Sequence, residues 1–232
     1  MNIAVFTSNQ PRHIALLDAL VEAGHDVVAT IEPKTYLLPE QPVLREYWRR
    51  VREAECDVFG GRWLAYCPTY TIKPGELSAI PSEYFPGILE RADRYIVFSA
   101  SYITGSLADA MIAAGALNLH VGIAPEYRGS APNAWAWYDG NPHLIGAQVQ
   151  RLGKGLDAGE ILAEVRVGAG EDYFLRSMRA VRHGIDALVA LLNTPEPWLP
   201  VRPNDRAKQI RYARRAQFDE TVAAKIMDTA SC

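Results

Sequence analysis

Short apolar runs alternate with amphipathic stretches through most of the chain. Residues 2–6 (NIAVF) are a nearly continuous apolar run of strand length. Ile14, Leu17, Leu20 and Val21 then fall on one helical face, and Gly24 stands where a helix C-terminus favours positive φ. The same reading predicts strands over 25–31, 94–100, 117–121, 145–152 and 161–167. It predicts helices over 42–55, 107–114 and 172–192. Strands that alternate with helices in the first half imply βαβ units and a mainly parallel sheet. In the second half strands follow one another across short turns, which suits an antiparallel extension. From Asn193 the text becomes NTPEPWLPVRPND, whose prolines suit an extended connector, and a last helical pattern starts near Asp205. The expectation is an α/β domain over residues 1–192, with a connector and C-terminal helix over 193–232 as a small extension.

Composition narrows the setting. With 49% hydrophobic and 22% charged residues in 232, the chain can bury a substantial core. A net charge of -3 offers no global field for nucleic acid or anionic lipid, so neither is an expected partner. Cys56, Cys67 and Cys232 are odd in number and not spaced for a metal, which suits reduced thiols in the cytoplasm. The first residues lack a basic leader region and a cleavage pattern, and no apolar stretch approaches bilayer-spanning length.

Candidate chemistry is concentrated between Ala116 and Leu162. Gly153, Gly155 and Gly159 lie between two expected strands rather than opening a helix, so they read as a turn and not as a dinucleotide loop. Asn118 and His120 are two apart on a strand and project from one face near its carboxyl end, where open α/β sheets bind ligands. An amide there can donate to a carbonyl oxygen that gains charge. An imidazole can carry a proton near neutral pH, and the turn carboxylate Asp157 could orient it. The plainer reading also stands: an Asn capping a turn, a His satisfied by backbone and an Asp bracing a tight turn.

The ordered pattern N-L-H, P-E-Y-R-G, W-A-W-Y-D-G-N and G-L-D-A-G-E-I-L closely resembles the folate-dependent formyltransferase superfamily. Its members formylate methionyl-tRNA, glycinamide ribonucleotide or nucleotide-linked amino sugars. The resemblance covers Tyr95 to Leu162 well and the N-terminal strands loosely. It implies a Rossmann-like domain that takes a formyl group from 10-formyltetrahydrofolate, with no metal. On these positions Asn118 would hold the formyl oxygen, His120 would assist proton transfer, and Asp157 would position His120 or a water. The pterin would lie against Phe98, Ser99, Ala100, Ser101, Tyr102 and Ile103, and against Gly155 and Leu156 before the aspartate. The chain departs from the usual wording at Val121–Pro125 and at Gly146-Ala147-Gln148, near the expected site.

The acceptor is less determined. Residues after the shared core are too few for the barrel usual in the tRNA enzymes, and the acidic pI argues against tRNA. The glycine-rich phosphate loop of the purine enzyme is replaced by a polar stretch in which Asn9, Gln10, Arg12 and His13 are candidate substrate contacts. An amine on a nucleotide-linked sugar, as in surface-polysaccharide synthesis, is the leading expectation. Tyr127, Arg128, Gly129, Trp135, Trp137 and Tyr138 are candidates for its base and phosphates, with core filling the alternative for the tryptophans. Formylation of an amino acid or hydroxylated amine is a second reading, and an inactive folate- or sugar-binding module a third. Arg206, Lys208, Arg211, Arg214 and Arg215 read as a solvated helix face, with phosphate binding or a homodimer contact as the other use. Arg45, Arg49, Arg50 and Arg52 on the earlier helix read likewise.

Overall fold

The structure, a computed structural model, describes residues 1–35, 38–61, 64–79, 92–170 and 172–230. Cys232 lies outside them. The first strand, β1 (Asn2–Thr7), leads into helix α1 (Pro11–Glu22) and strand β2 (Asp26–Ile31). Gly24 takes φ of 83° after the helix, the left-handed conformation expected of it. Helix α2 (Pro42–Phe59) buries Tyr47, Val51, Ala54, Glu55 and Phe59, a stripe at helical spacing. Strands β3 (Thr69–Thr71) and β4 (Arg94–Val97), helix α3 (Gly105–Ala113) and strand β5 (Leu117–His120) follow. Strand β6 (Tyr127–Gly129), helix α4 (Pro132–Tyr138), strands β7 (Gly146–Arg151) and β8 (Ile161–Arg166) and helix α5 (Tyr173–Leu192) complete the part before the connector.

Among the described residues the main sheet runs in the order β3-β2-β1-β4-β5-β7-β8. The pairs from β3 to β5 are parallel, whereas β5·β7 and β7·β8 are antiparallel. The fold is Rossmann-like, with an antiparallel extension beside the strand that carries Asn118 and His120. Helix α5 covers this junction. Asp172 caps it by accepting from the Leu175 N–H at 3.0 Å, and Phe174, Val181, Ile185, Leu188 and Leu192 form its buried stripe. Each such side chain contributes roughly 1.5–3 kcal/mol by leaving water. Gly184 lets the helix approach closely: a Cβ there would lie 2.7 Å from the Ala147 Cβ and 3.1 Å from the Leu119 Cδ1.

The segment after residue 192 returns to this core. Strand β9 (Arg211–Ala213) pairs in parallel with β6, and helix α6 (Glu220–Thr229) packs on α2 and α4. This corrects the helix expected from Asp205. Residues 206–208 and 215–217 are single 3₁₀ turns, β9 lies between them, and the α-helix starts only after Asp219, whose carboxylate accepts from the Val222 N–H at 3.0 Å. The basic residues therefore do not share a helix face. Arg211 forms a bidentate pair with Asp139 at 2.7 and 2.9 Å and lies over the Trp135 ring. No described helix is long and apolar enough to cross a membrane.

Candidate active site

Strand β5 holds Leu117 and Leu119 in the core and presents Asn118 and His120 on the other face. Asn118 stands opposite Val97 on one side and Gln150 on the other, so its backbone is fixed between two paired strands. Gln148 shows what the unusual Gly146-Ala147-Gln148 wording does. Its amide donates to the Ala124 carbonyl at 2.9 Å and accepts from the Ala124 N–H at 3.1 Å, which pins the loop after His120.

Asp157 arrives from the turn between β7 and β8. Its Oδ1 lies 3.1 Å from His120 Nδ1 and 3.5 Å from the Asn118 Nδ2, and its Oδ2 accepts from the Gly129 N–H at 2.9 Å. The three side chains thus meet at one point. His120 Nε2 lies 3.3 Å from the Tyr127 carbonyl oxygen. Both ring nitrogens therefore face acceptors, an arrangement that only the protonated imidazole satisfies fully. Charge balance agrees. Burial alone would lower the imidazole pKa, but the Asp157 carboxylate, with the Tyr127 carbonyl, outweighs it and holds the pKa above 6.5. Burial likewise pushes the carboxyl of Asp157 up, and His120, the Gly129 N–H and Arg128 bring it below the ordinary carboxylate value.

The turn itself is strained and clamped. Asp157 has φ of 49°, a conformation few non-glycine residues adopt. Buried Arg128 donates to the Leu156 carbonyl. Asn204, from the C-terminal segment, donates to the carbonyls of Asp157 at 3.0 Å and Gly159 at 2.8 Å. A Cβ on Gly159 would fall 1.7 Å from the Arg151 carbonyl oxygen, so no other residue fits there. At Gly129, with φ of 88°, a Cβ would lie 2.2 Å from the Ala213 carbonyl oxygen.

The trio opens on a cleft of about 1200 Å³. Its lining includes Ser99, Ala100, Ser101, Tyr102 and Ile103, together with Gly155 and Leu156. Buried Glu32 holds this wall, accepting from the Ser101 N–H at 2.6 Å and from its hydroxyl at 2.5 Å. The lining also includes an aromatic cluster of Tyr47, Trp48, Phe174 and Phe218, with Leu44, Gln10, Arg12, Lys34 and Arg215.

Several expected contacts stand elsewhere. Phe98 is fully buried behind the wall and packs on His13, itself buried, with ring centroids 4.8 Å apart. Asn9 is used locally, its Oδ1 accepting from the Lys34 N–H at 2.8 Å. Tyr127 is core, its hydroxyl accepting from Asn141 at 2.8 Å, and Arg128 is spent on the Asp157 turn. Trp135 and Trp137 are buried, and Trp135 meets Tyr138 edge-on, so these aromatics fill the core rather than line the cleft. Among the α2 arginines, Arg49 pairs with Glu46 and Glu53 on the surface, Arg50 lies over the Phe174 ring, and Arg52 reaches the cleft. The cleft contacts missed from sequence, Trp48, Lys34 and Phe218, are distant along the chain and carry no motif.

Comparison with known proteins places this geometry. The family model described as Formyl transferase matches residues 91–184, the stretch that carries all three side chains. Over that stretch the chain is similar to the formyl transferase family. It is 28% identical over 204 residues to a methionyl-tRNA formyltransferase of Anaeromyxobacter dehalogenans, covering 87% of this chain and 61% of that relative. The chain thus spans less than two thirds of that relative's length. Its fold is similar to a sugar N-formyltransferase from a Shewanella species, with a TM-score of 0.58, 14% identity, and coverage of 94% of this chain and 78% of the other. It is also similar to the phosphoribosylglycinamide formyltransferase of Anaplasma phagocytophilum, at a TM-score of 0.54 and 16% identity over 82% and 83% of the two chains.

Proposed function

We propose that this protein is an enzyme that moves a formyl group from 10-formyltetrahydrofolate to the primary amine of a small molecule. The observation that carries the reading is the meeting of Asn118, His120 and Asp157 at one wall of the cleft, with the His120–Asp157 contact at 3.1 Å. The pterin lies against residues 99–103, Gly155 and Leu156, and the acceptor amine approaches from the side of the aromatic cluster. A cleft of about 1200 Å³ exceeds the roughly 300–1,000 Å³ usual for one small ligand, which suits two substrates side by side.

In this mechanism the amine nitrogen bonds to the formyl carbon, whose oxygen gains charge. The Asn118 amide, held by only a long contact to Asp157, donates to that oxygen. Protonated His120 adds positive charge beside the oxyanion, and Asp157 keeps the imidazole charged and oriented. As the tetrahedral centre collapses, the bond to the folate nitrogen breaks, and that nitrogen takes up the proton the amine loses, with His120 and Asp157 as the relay.

The favoured acceptor is an amino sugar on a nucleotide carrier, in surface-polysaccharide synthesis. Similarity to sugar N-formyltransferases in fold supports this, as does a cleft lining that holds both an aromatic cluster and cations. Residues 1–192 carry the trio, and residues 193–232 add Arg215 and Phe218 to the cleft, so the functional unit takes in both. Purified protein should release tetrahydrofolate from 10-formyltetrahydrofolate only when a suitable amine is present. No release with any of a panel of amino-sugar nucleotides and amino acids would overturn the reading.

A further inference from the structure

The cleft wall joins an aromatic cluster to three cations that counter-ions satisfy unequally. Tyr47 packs against Phe174 and Phe218, with ring centroids 5.3 and 4.9 Å apart, and Trp48 lies 6.1 Å from Phe218. Trp48 remains 37% exposed, so one large aromatic face of the cluster is open. Lys34, Arg12 and Arg215 line the same cleft.

Their charges are unequally satisfied. Arg12 is neutralised by buried Glu55 at 2.6 Å. Glu32 is taken up by the Gly75 N–H at 2.7 Å and by Ser101, although its charge still favours protonated Lys34. Lys34 donates to the Ser99 carbonyl at 2.8 Å, a neutral partner. Arg215 has no ion-pair partner among the described residues. Although Lys34 keeps a path to the cleft's solvent, its ammonium is crowded. Burial first, then Arg12 and Arg215, bring its pKa down to about 8 against the opposing pull of Glu32. A cation in this condition is stabilised by an arriving anion.

We propose that this part of the cleft is the acceptor subsite and that it reads an anionic group with Lys34 and Arg215 while the adjoining apolar or flat body rests on Tyr47, Trp48 and Phe218. The inference rests on the formyl-transfer reading and adds what the acceptor must carry. It also gives a role to the C-terminal segment. Arg215 opens the single turn before α6 and Phe218 follows it, and together they bring the cleft a specificity wall that the expected catalytic core lacks. A phosphate ester and a carboxylate share the required chemistry, the first on a nucleotide and the second on an aromatic or aliphatic amino acid.

Calorimetric titration of the full chain with UDP, with L-phenylalanine and with tetrahydrofolate tests this. UDP or L-phenylalanine should bind, the one that does identifying the anion. Arg215→Ala should weaken it roughly 10- to 100-fold, as loss of a charge-assisted hydrogen bond does, and Phe218→Ala should weaken it independently. Tetrahydrofolate binding should be unchanged in both variants, which also shows that they are folded. If tetrahydrofolate binds but neither anion does, or if both variants bind the anion as the wild type does, the subsite is refuted and the formyl-transfer reading stands. If tetrahydrofolate itself fails to bind, the formyl-transfer reading fails with it.

Discussion

His120 and Asp157 are each buried, and each favours the charged form of the other. Replacing Asp157 by Asn removes the charge that offsets burial, so the His120 pKa should fall from above 6.5 to below it. Titration of the imidazole resonances by NMR checks this, and an unchanged His120 would refute the ion pair. The sign of the pH dependence follows. The raised His120 pKa gives stability that is full below 6.5 and lost as pH rises through the folded value. The depressed Asp157 pKa gives stability lost as pH falls through its own folded value. The pair therefore stabilises the fold most between those two titrations. At Asn118 the expected effect is on rate. Asn118→Ala should lower kcat by about 10²–10³, the usual cost of one oxyanion donor, while tetrahydrofolate still binds. Steady-state kinetics of that variant, with calorimetry of folate binding, separate the two effects.

At the scale of elements, the β7–β8 turn carries Asp157 in a left-handed conformation, and two side chains from elsewhere hold it there. Asn204→Ala removes the hydrogen bonds to the carbonyls of Asp157 and Gly159. It should lower kcat with little change in the KM for the acceptor, at a stability cost of roughly 1–3 kcal/mol. A KM effect alone would mean that Asn204 does not position the aspartate. The alternating pattern made the order of strands and helices legible, including the switch to antiparallel pairing after β5, because each of those elements buries a periodic face. Strand boundaries shifted by up to three residues: the run read as 94–100 ends as a strand at Val97, after which the chain turns into the cleft wall. Strand β3, only three residues long, was not legible, nor were β6 and β9. These two are also three residues long, and their pairing joins segments more than 80 positions apart, from Tyr127↔Arg211 to Gly129↔Ala213. The helix expected from Asp205 failed for the same reason, since pairing with β6 takes residues 211–213 out of helical conformation. In the site, Asn118 and His120 were legible from period two on a strand. Arg12 was a sequence candidate for substrate, but its partner Glu55 is 43 positions away and takes up its charge. Trp48 and Lys34 enter the cleft only through tertiary packing.

At the scale of the molecule, the segment after residue 192 is tied into the domain on two sides. Arg202 pairs with Glu126 at 2.9 Å and Glu164 at 2.6 Å, and the backbone of β9 locks onto Gly129 beside the aspartate. A chain ended at residue 192 loses Arg202, Asn204, β9 and α6 together, and it uncovers the buried faces of Trp135 and Tyr47. It should be much less stable, with a thermal midpoint lowered by many degrees, and should lose turnover even where it stays soluble. Calorimetric melting of the shortened chain gives the comparison, and an unchanged midpoint would show the segment to be an appendage. The proposed formyl transfer depends on the three side chains acting as one site. The most direct measurement is tetrahydrofolate release from 10-formyltetrahydrofolate by the wild type and by Asn118→Ala and His120→Ala, each with an accepted amine. Release by the wild type and a loss of several orders of magnitude in both variants, with folate still bound, is the predicted result; equal turnover in all three would contradict it.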